Sequence, residues 1–198
     1  MLVFAVAALL ACPSLTYAQE TSVDMTMAEL SANMDKLGGQ MDELGKMMDM
    51  HDEEMEKYGK EWEKDIAHPN TEARDKMVEL GEKMSELGEK MGKLGEQMGQ
   101  YGEKMGALHR DMNDWFFREL KKDGLLASFK GKVRVIFDDK GLDVNGSKAS
   151  EAQFQKYKTG FEKFWGRSLK ADFLYFFNGT LEEKDGKIDP NGSVNMDF

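Results

Sequence analysis

The sequence predicts a mostly α-helical chain, in which a long helical hairpin of Met/Leu/Gly heptads, a coiled coil, precedes a small α+β unit. Three observations predict this. Methionine recurs every seven residues through the first half, and 14 of the 16 methionines lie between Met25 and Met112. Charge divides at the same place: residues 19–114 carry 24 acids and 12 bases, whereas residues 115–198 carry 13 acids and 15 bases. Aromatic residues crowd the second part. A chain of 198 residues has room for one ordinary domain or two small ones. Its net charge of −10 opposes a nucleic-acid backbone. Its single cysteine excludes an intrachain disulfide.

Residues 1–18 carry no charged side chain and hold an apolar run too short for a membrane span. Thr16 and Ala18 put small residues at the −3 and −1 positions of a cleavage site before Gln19. This predicts a signal peptide over 1–18, a linker over 19–25, and export to a bacterial periplasm or beyond. The missing basic n-region leaves room for a start upstream of Met1. The alternative is that Leu9-Leu10-Ala11-Cys12 acts as a lipobox and Cys12 carries a lipid anchor. Only in that case is membrane attachment expected.

The hairpin is expected over 26–122, with its turn near 67–70. Met34, Met41, Met48 and Met55 are spaced by seven, and Trp62 continues the series. Met77, Met84, Met91, Met98, Met105 and Met112 resume it. Three residues on from most come apolar partners: Leu37, Leu44 and Tyr58, then Leu80, Leu87, Leu94, Tyr101 and Leu108. Such an a/d alternation is the signature of a coiled-coil seam. Glu79 with Lys83 and Glu86 with Lys90 add i,i+4 pairs. Thr26 and Glu29 form a capping-box pattern at the start. Ala67-His68-Pro69-Asn70 interrupts the repeat, and Asn70 or Thr71 suits the cap of the second arm.

Gly38, Gly45, Gly59, Gly81, Gly88, Gly95 and Gly102 each follow a Leu or Tyr of the seam, and Gly92, Gly99 and Gly106 each follow a methionine. At ~1 kcal/mol each relative to Ala, these ten cost on the order of 10 kcal/mol of helix propensity. The expectation is that the bare backbone lets the two arms, or another helix, approach closely.

Methionine sulfur also suits Cu(I) and Ag(I). Met47, Met50 and His51 lie at i, i+3 and i+4, so two thioethers and an imidazole share a helix face, with His51 standing where the repeat expects Leu. The heptad methionines themselves are accounted for by packing, since Met fills irregular apolar seams. His68 and His109 read as a turn residue and an exposed helix flank.

Residues 115–126 extend the second arm and stop it near Asp123-Gly124, and the α+β unit is expected over 123–198. Residues 133–137 alternate cations with apolar side chains and read as a strand. Residues 138–141 make a turn, 142–144 a second strand, and Asn145-Gly146 another turn. Ser150 with Gln153 opens a helix with Phe154, Tyr157, Phe161, Phe164 and Trp165 on one face, ended by Gly166. Residues 171–177 read as an aromatic strand stopped by Asn178-Gly179, with a further turn at Pro190-Asn191-Gly192.

Several of these stretches are similar to a known segment. Glu119-Leu120-Lys121-Lys122-Asp123-Gly124-Leu125-Leu126, then Gly141-Leu142-Asp143-Val144-Asn145-Gly146, then Gln155-Lys156-Tyr157, with Met-x-x-Leu-Gly repeats before them, resemble the C-terminal extracytoplasmic segment of BlaR-like (antirepressor) membrane metallopeptidases and related exported proteins of Bacteroidetes-type bacteria. The resemblance covers most of residues 77–170. It implies an envelope module of sensory or interaction type. It implies no peptidase, because the sequence has no His-Glu-x-x-His motif and no zinc-ligand set.

Other chemistries find little footing. Around Asp185-Gly186-Lys187-Ile188-Asp189 an EF-hand register would place Gly192 where a bidentate Glu is needed, so a plain hairpin turn is expected. There is no G-x-S-x-G elbow and no phosphate loop. The sequence therefore predicts an exported non-enzyme without a cofactor. Its interaction seam is Met34, Leu37, Met41, Leu44, Met77, Leu80, Met84, Leu87, Met91, Leu94, Met98 and Met105, binding a second copy or an envelope protein. Soft-metal binding at Met47, Met50 and His51 is the alternative.

Overall fold

The computed structural model describes residues 25–64 and 71–197, with Thr71 described in its backbone only. The expected signal peptide, Cys12, most of the linker and the turn at 67–70 lie outside the described residues. Two long helices, α1 (Met27–Lys64) and α2 (Thr71–Lys122), precede β1 (Lys132–Asp138), β2 (Gly141–Val144), β3 (Ser147–Lys148), α3 (Glu151–Trp165), β4 (Leu174–Lys184) and β5 (Lys187–Asp197). The chain is thus mixed, with two long helices and a five-stranded antiparallel sheet at the C-terminal end.

Local chemistry sets the helix ends. At α1 the Thr26 amide donates to Glu29 Oε2 at 2.7 Å and the Glu29 amide donates back to Thr26 Oγ1 at 3.4 Å, the reciprocal bonds of a capping box. Ser150 and Gln153 repeat the device at α3, which Gly166 closes in the left-handed conformation at φ 71°. α1 runs back along α2, which brings Met27 and Leu30 into one apolar cluster with Leu108 and sets Leu44 and Met47 beside Lys90 and Leu94.

The sheet order is β3-β2-β1-β4-β5. Its inward row is Val133, Val135, Phe137, Leu142, Val144, Tyr175, Phe177, Leu181 and Ile188, all buried. Against it lie Tyr157 and Phe161 of α3 and Met112, Phe116, Phe117 and Leu120 of α2. Phe116 meets Phe161 edge-on at 5.0 Å between ring centres, and Phe137 meets Phe173 at 4.9 Å. The last turns of the second arm are therefore a wall of the α+β core, and one continuous helix joins arm to core.

Two expected turns are corrected. Asn178-Gly179 and Asn191-Gly192 do not end strands; they lie within β4 and β5, where Gly179 pairs with Gly192. The strands approach so closely there that a Cβ on either glycine would collide with the backbone opposite. The chain instead reverses at Asp185-Gly186, both at positive φ as a two-residue hairpin turn requires. Pro190 is accommodated because β5 is an edge strand.

Candidate interaction face on the helical arms

The seam residues divide by burial. Leu37, Leu80 and Leu87 are buried between the arms. Met34, Met41, Leu44, Met77, Met84, Met91, Leu94, Met98 and Met105 are only half-buried. Two helices side by side close over the centre of an apolar stripe and leave its edge open. Each of Gly38, Gly45, Gly59, Gly81, Gly88, Gly95 and Gly102 comes four residues after a methionine of the repeat, and so lies on the methionine side of its helix. Because the arms are antiparallel with these stripes turned together, both glycine rows fall on one broad face.

The expected close approach of the arms at the glycines is not found. A Cβ built on any of these seven, or on Gly92 or Gly99, would meet nothing within 4 Å. A residue that directly follows a seam Leu lies about 100° around the helix from it, on the flank of the seam. The glycines therefore form an open flank, not an inter-arm contact. Val78 on the same side of α2 is 56 % exposed.

The opposite edge of the hairpin has a different character. Gln40, Glu43, Leu44, Met47, Lys90, Lys93 and Leu94 line a shallow groove of about 370 Å³. Met47 and Met50 are 40 % and 62 % exposed. His51 is turned inward: its Nδ1 is buried without a hydrogen-bond partner, and Glu54 Oε2 stands 3.8 Å away. Among the described residues no group of three or more His, Cys, Asp and Glu side chains is placed to hold a metal ion.

At the base the arms are fastened by charge and shape. Asp114, only 7 % exposed, accepts from Arg118 Nε at 2.7 Å and from the Ile188 amide at 2.8 Å. Arg118 also donates to Glu183 and to the Gly186 carbonyl, and Lys187 pairs with Asp111. Two of the three stretches behind the BlaR-like resemblance meet in a second fastening. Lys156 Nζ lies 2.6 Å from Glu119 and 2.8 Å from Asp123, and Tyr157 Oη donates to Asp123 at 2.7 Å. Burial pushes the Asp123 carboxyl upward, but the hydrogen bonds from Lys156 and Tyr157 outweigh it and hold the group below its ordinary value. Burial and the Asp123 carboxylate together raise the Tyr157 phenol. Together Glu119, Asp123, Lys156 and Tyr157 latch the end of α2 to α3. Spacing alone did not reveal this latch; its sign was the recurrence of charged residues beside Gly124 and Tyr157.

His109 is corrected as well. It is half-buried against Trp165, ring centres 6.0 Å apart, and burial lowers its pKa. Thr26 presses on Gly166, where a Cβ would run into its side chain, so the start of α1 is seated on the end of α3. A cavity of about 440 Å³ between α3 and the 139–141 turn mixes Lys140, Lys158 and Lys170 with Asp139 and Glu151. That mixture offers no consistent potential to a charged ligand. Among the described residues no helix is long and apolar enough to cross a membrane. A search of family models, curated proteins and solved structures finds no match to the chain.

Proposed function

We propose that the chain is an exported, non-enzymatic interaction or sensory-type module of the bacterial cell envelope, whose Met/Leu coiled-coil seam binds a partner helix or a second copy. The observation that carries this reading is the row of half-buried methionines beside an open glycine flank, on arms whose base is firmly anchored. Unbranched Met side chains re-pack around varied apolar surfaces, which suits capture of another helix. The leader-like residues 1–18 and the similarity to the BlaR-like extracytoplasmic segment support the envelope address. In-cell photo-crosslinking tests it, with a photoreactive residue at Met91 or Met98 compared with Lys57 on the outer surface. Adducts from the seam positions and none from Lys57 are expected. Equal labelling, or none at all, refutes the reading.

The second reading is a Cu(I)- or Ag(I)-binding protein using Met47, Met50 and His51. It is favoured by the exposure of Met47 and Met50, which lie off the seam and which packing does not explain. An Ag(I) titration followed by methionine-methyl NMR decides it: selective shifts of Met47 and Met50 at one equivalent support the site, and uniform shifts at large excess reject it.

A further inference from the structure

Charge around the open face specifies its occupant. On α1, Asp35, Asp42, Asp49 and Glu56 each follow a seam methionine by one residue. On α2, Glu82, Glu89, Glu96 and Glu103 each follow a flank glycine by one residue. All eight are exposed. At 100° per residue they border the methionine–glycine face on its two outer sides. Among the described residues only Glu56 of the eight pairs with a cation, Lys60. Of the α2 cations, Lys83, Lys90 and Lys104 each precede a seam methionine by one residue, on the far edge, while Arg74, one heptad before Gly81, and Arg110, one heptad after Glu103, stand at the two ends of the face; on α1, Lys46 and Lys60 follow Gly45 and Gly59 outside the carboxylate row. Between its two acidic borders α2 presents Met84, Met91 and Met98 with Gly88, Gly92, Gly95 and Gly99, a floor with no charged side chain and few Cβ atoms.

We infer that this face is a docking groove for a basic amphipathic helix, an apolar stripe flanked on both sides by Lys or Arg. The inference rests on the interaction reading above and narrows it. An apolar stripe would lie on the half-exposed methionines, and the bare glycine backbone would let it settle close. Its flanking cations would face the two carboxylate rows, an arrangement that speeds encounter and fixes orientation. A second copy of this chain is disfavoured as occupant, because two such faces brought together oppose carboxylate rows. The groove runs from Gly38 to Gly59 along α1, with Asp52 in the place of a glycine between Gly45 and Gly59, roughly 30 Å at 1.5 Å per residue, which suits a partner helix of about twenty residues that sets a cation or a polar residue over Asp52.

The test uses the purified chain and two fluorescein-labelled helical peptides of about twenty residues with the same Leu/Ala stripe, one flanked by Lys and one by Glu, read by anisotropy. The Lys-flanked peptide should saturate one-to-one with salt-sensitive affinity, and the Glu-flanked peptide should not bind. The Glu82→Gln/Glu89→Gln/Glu96→Gln variant should bind about tenfold more weakly, the effect of three exposed ion pairs. Lys83→Gln/Lys90→Gln, on the far edge, should bind as the parent does. Gly88→Leu/Gly95→Leu, whose new side chains enter open space, should abolish binding while helix content by circular dichroism is retained. Equal binding of the two peptides overturns the inference. So does a molar mass of two chains that persists on dilution and is lost in Gly88→Leu/Gly95→Leu; that result gives the face to a second copy and leaves the interaction reading standing. Failure of both peptides overturns the basic-helix inference, and if seam crosslinks are absent too, the interaction reading fails with it.

Discussion

Replacing Gly81, Gly88, Gly95 and Gly102 by alanine should stabilise the isolated chain, and the size of the gain can be worked out in advance. Each glycine sits within α2 with no atom inside 4 Å of the position its Cβ would take. The added methyl therefore neither clashes nor buries much, and only helix propensity changes. Ala exceeds Gly by about 0.8–1 kcal/mol in a helix interior. The four sites are seven residues apart, about 10 Å along the axis, so their effects should add to about 3–4 kcal/mol. For a chain of this size that corresponds to a midpoint roughly 6–15 °C higher. Thermal melts followed at 222 nm, with guanidinium titrations alongside, read the change. Gly160→Ala is the internal contrast. It too lies in a helix, yet its Cβ would run into the Trp115 indole at the heart of the base, so the same substitution should destabilise by about 2 kcal/mol or more. If the α2 quadruple variant loses stability, its glycines are packed against something in the resting molecule, and the account of an open flank is refuted.

Other outcomes follow from the base and the tip. Asp123→Asn should cost about 2 kcal/mol at neutral pH through lost charged hydrogen bonds to Lys156 and Tyr157. Because the native Asp123 pKa lies below its ordinary 3.8, the stability it contributes is complete above that value. It is lost as pH falls through the depressed native pKa, so urea midpoints of parent and variant should converge at the most acid pH. His109 has the opposite consequence: its native pKa is lowered from 6.5, the unfolded chain binds the extra proton, and stability should fall as pH drops below about 6.5. His109→Phe should flatten that slope in melts between pH 7.5 and 5, and an unchanged slope would remove His109 as its source. Hydrogen exchange should be fastest near Lys64 and Thr71 and slowest around Phe116 and Leu120, where α2 enters the aromatic core; uniform protection along α2 would contradict this gradient.

What the sequence disclosed, and what it concealed, follows from the range over which each signal acts. Capping is local, so Thr26–Glu29, Ser150–Gln153 and Gly166 could be read directly and give the helix ends observed. The seven-residue period marked an apolar stripe on each arm, of which Leu37, Leu80 and Leu87 are buried and the rest of the seam is half-buried. At the glycine flank the sequence left two packings open, between the arms or against another helix, and the inter-arm one is not found; a residue beside the seam can face the other arm or open space depending on how the stripes are rotated together, a tertiary quantity. Asn178-Gly179 and Asn191-Gly192 were misread for a related reason. Asn-Gly is a strong local turn signal, but here two such pairs face each other across a ladder, and the glycines serve close backbone approach. The latch of Glu119, Asp123, Lys156 and Tyr157 joins residues more than thirty positions apart, and no spacing rule reaches that far.

The contrast between arms and base bears on how the proposed capture would work. Helices rich in exposed glycine have little stability of their own, since propensity sums along the chain. Here that deficit falls on the length of the arms, whereas the aromatic core and the Asp114 and Asp123 fastenings are concentrated at one end. The arms are therefore held at a fixed position and direction by their base, while their outer turns draw on few buried contacts, those of Ala73, Leu80 and Leu87. A helix laid along the methionine–glycine face would bury surface that the hairpin leaves open and would stabilise both arms together. Binding and stiffening would then be one thermodynamic event, coupled in both directions: whatever stiffens the arms before binding lowers the ordering cost, and whatever loosens them raises it. Glycine-to-alanine changes separate two consequences of this design. They lower the cost of ordering but add methyl groups to the floor of the groove, so a variant more stable than the parent yet weaker in partner binding identifies close backbone approach, rather than arm flexibility, as what the glycines provide.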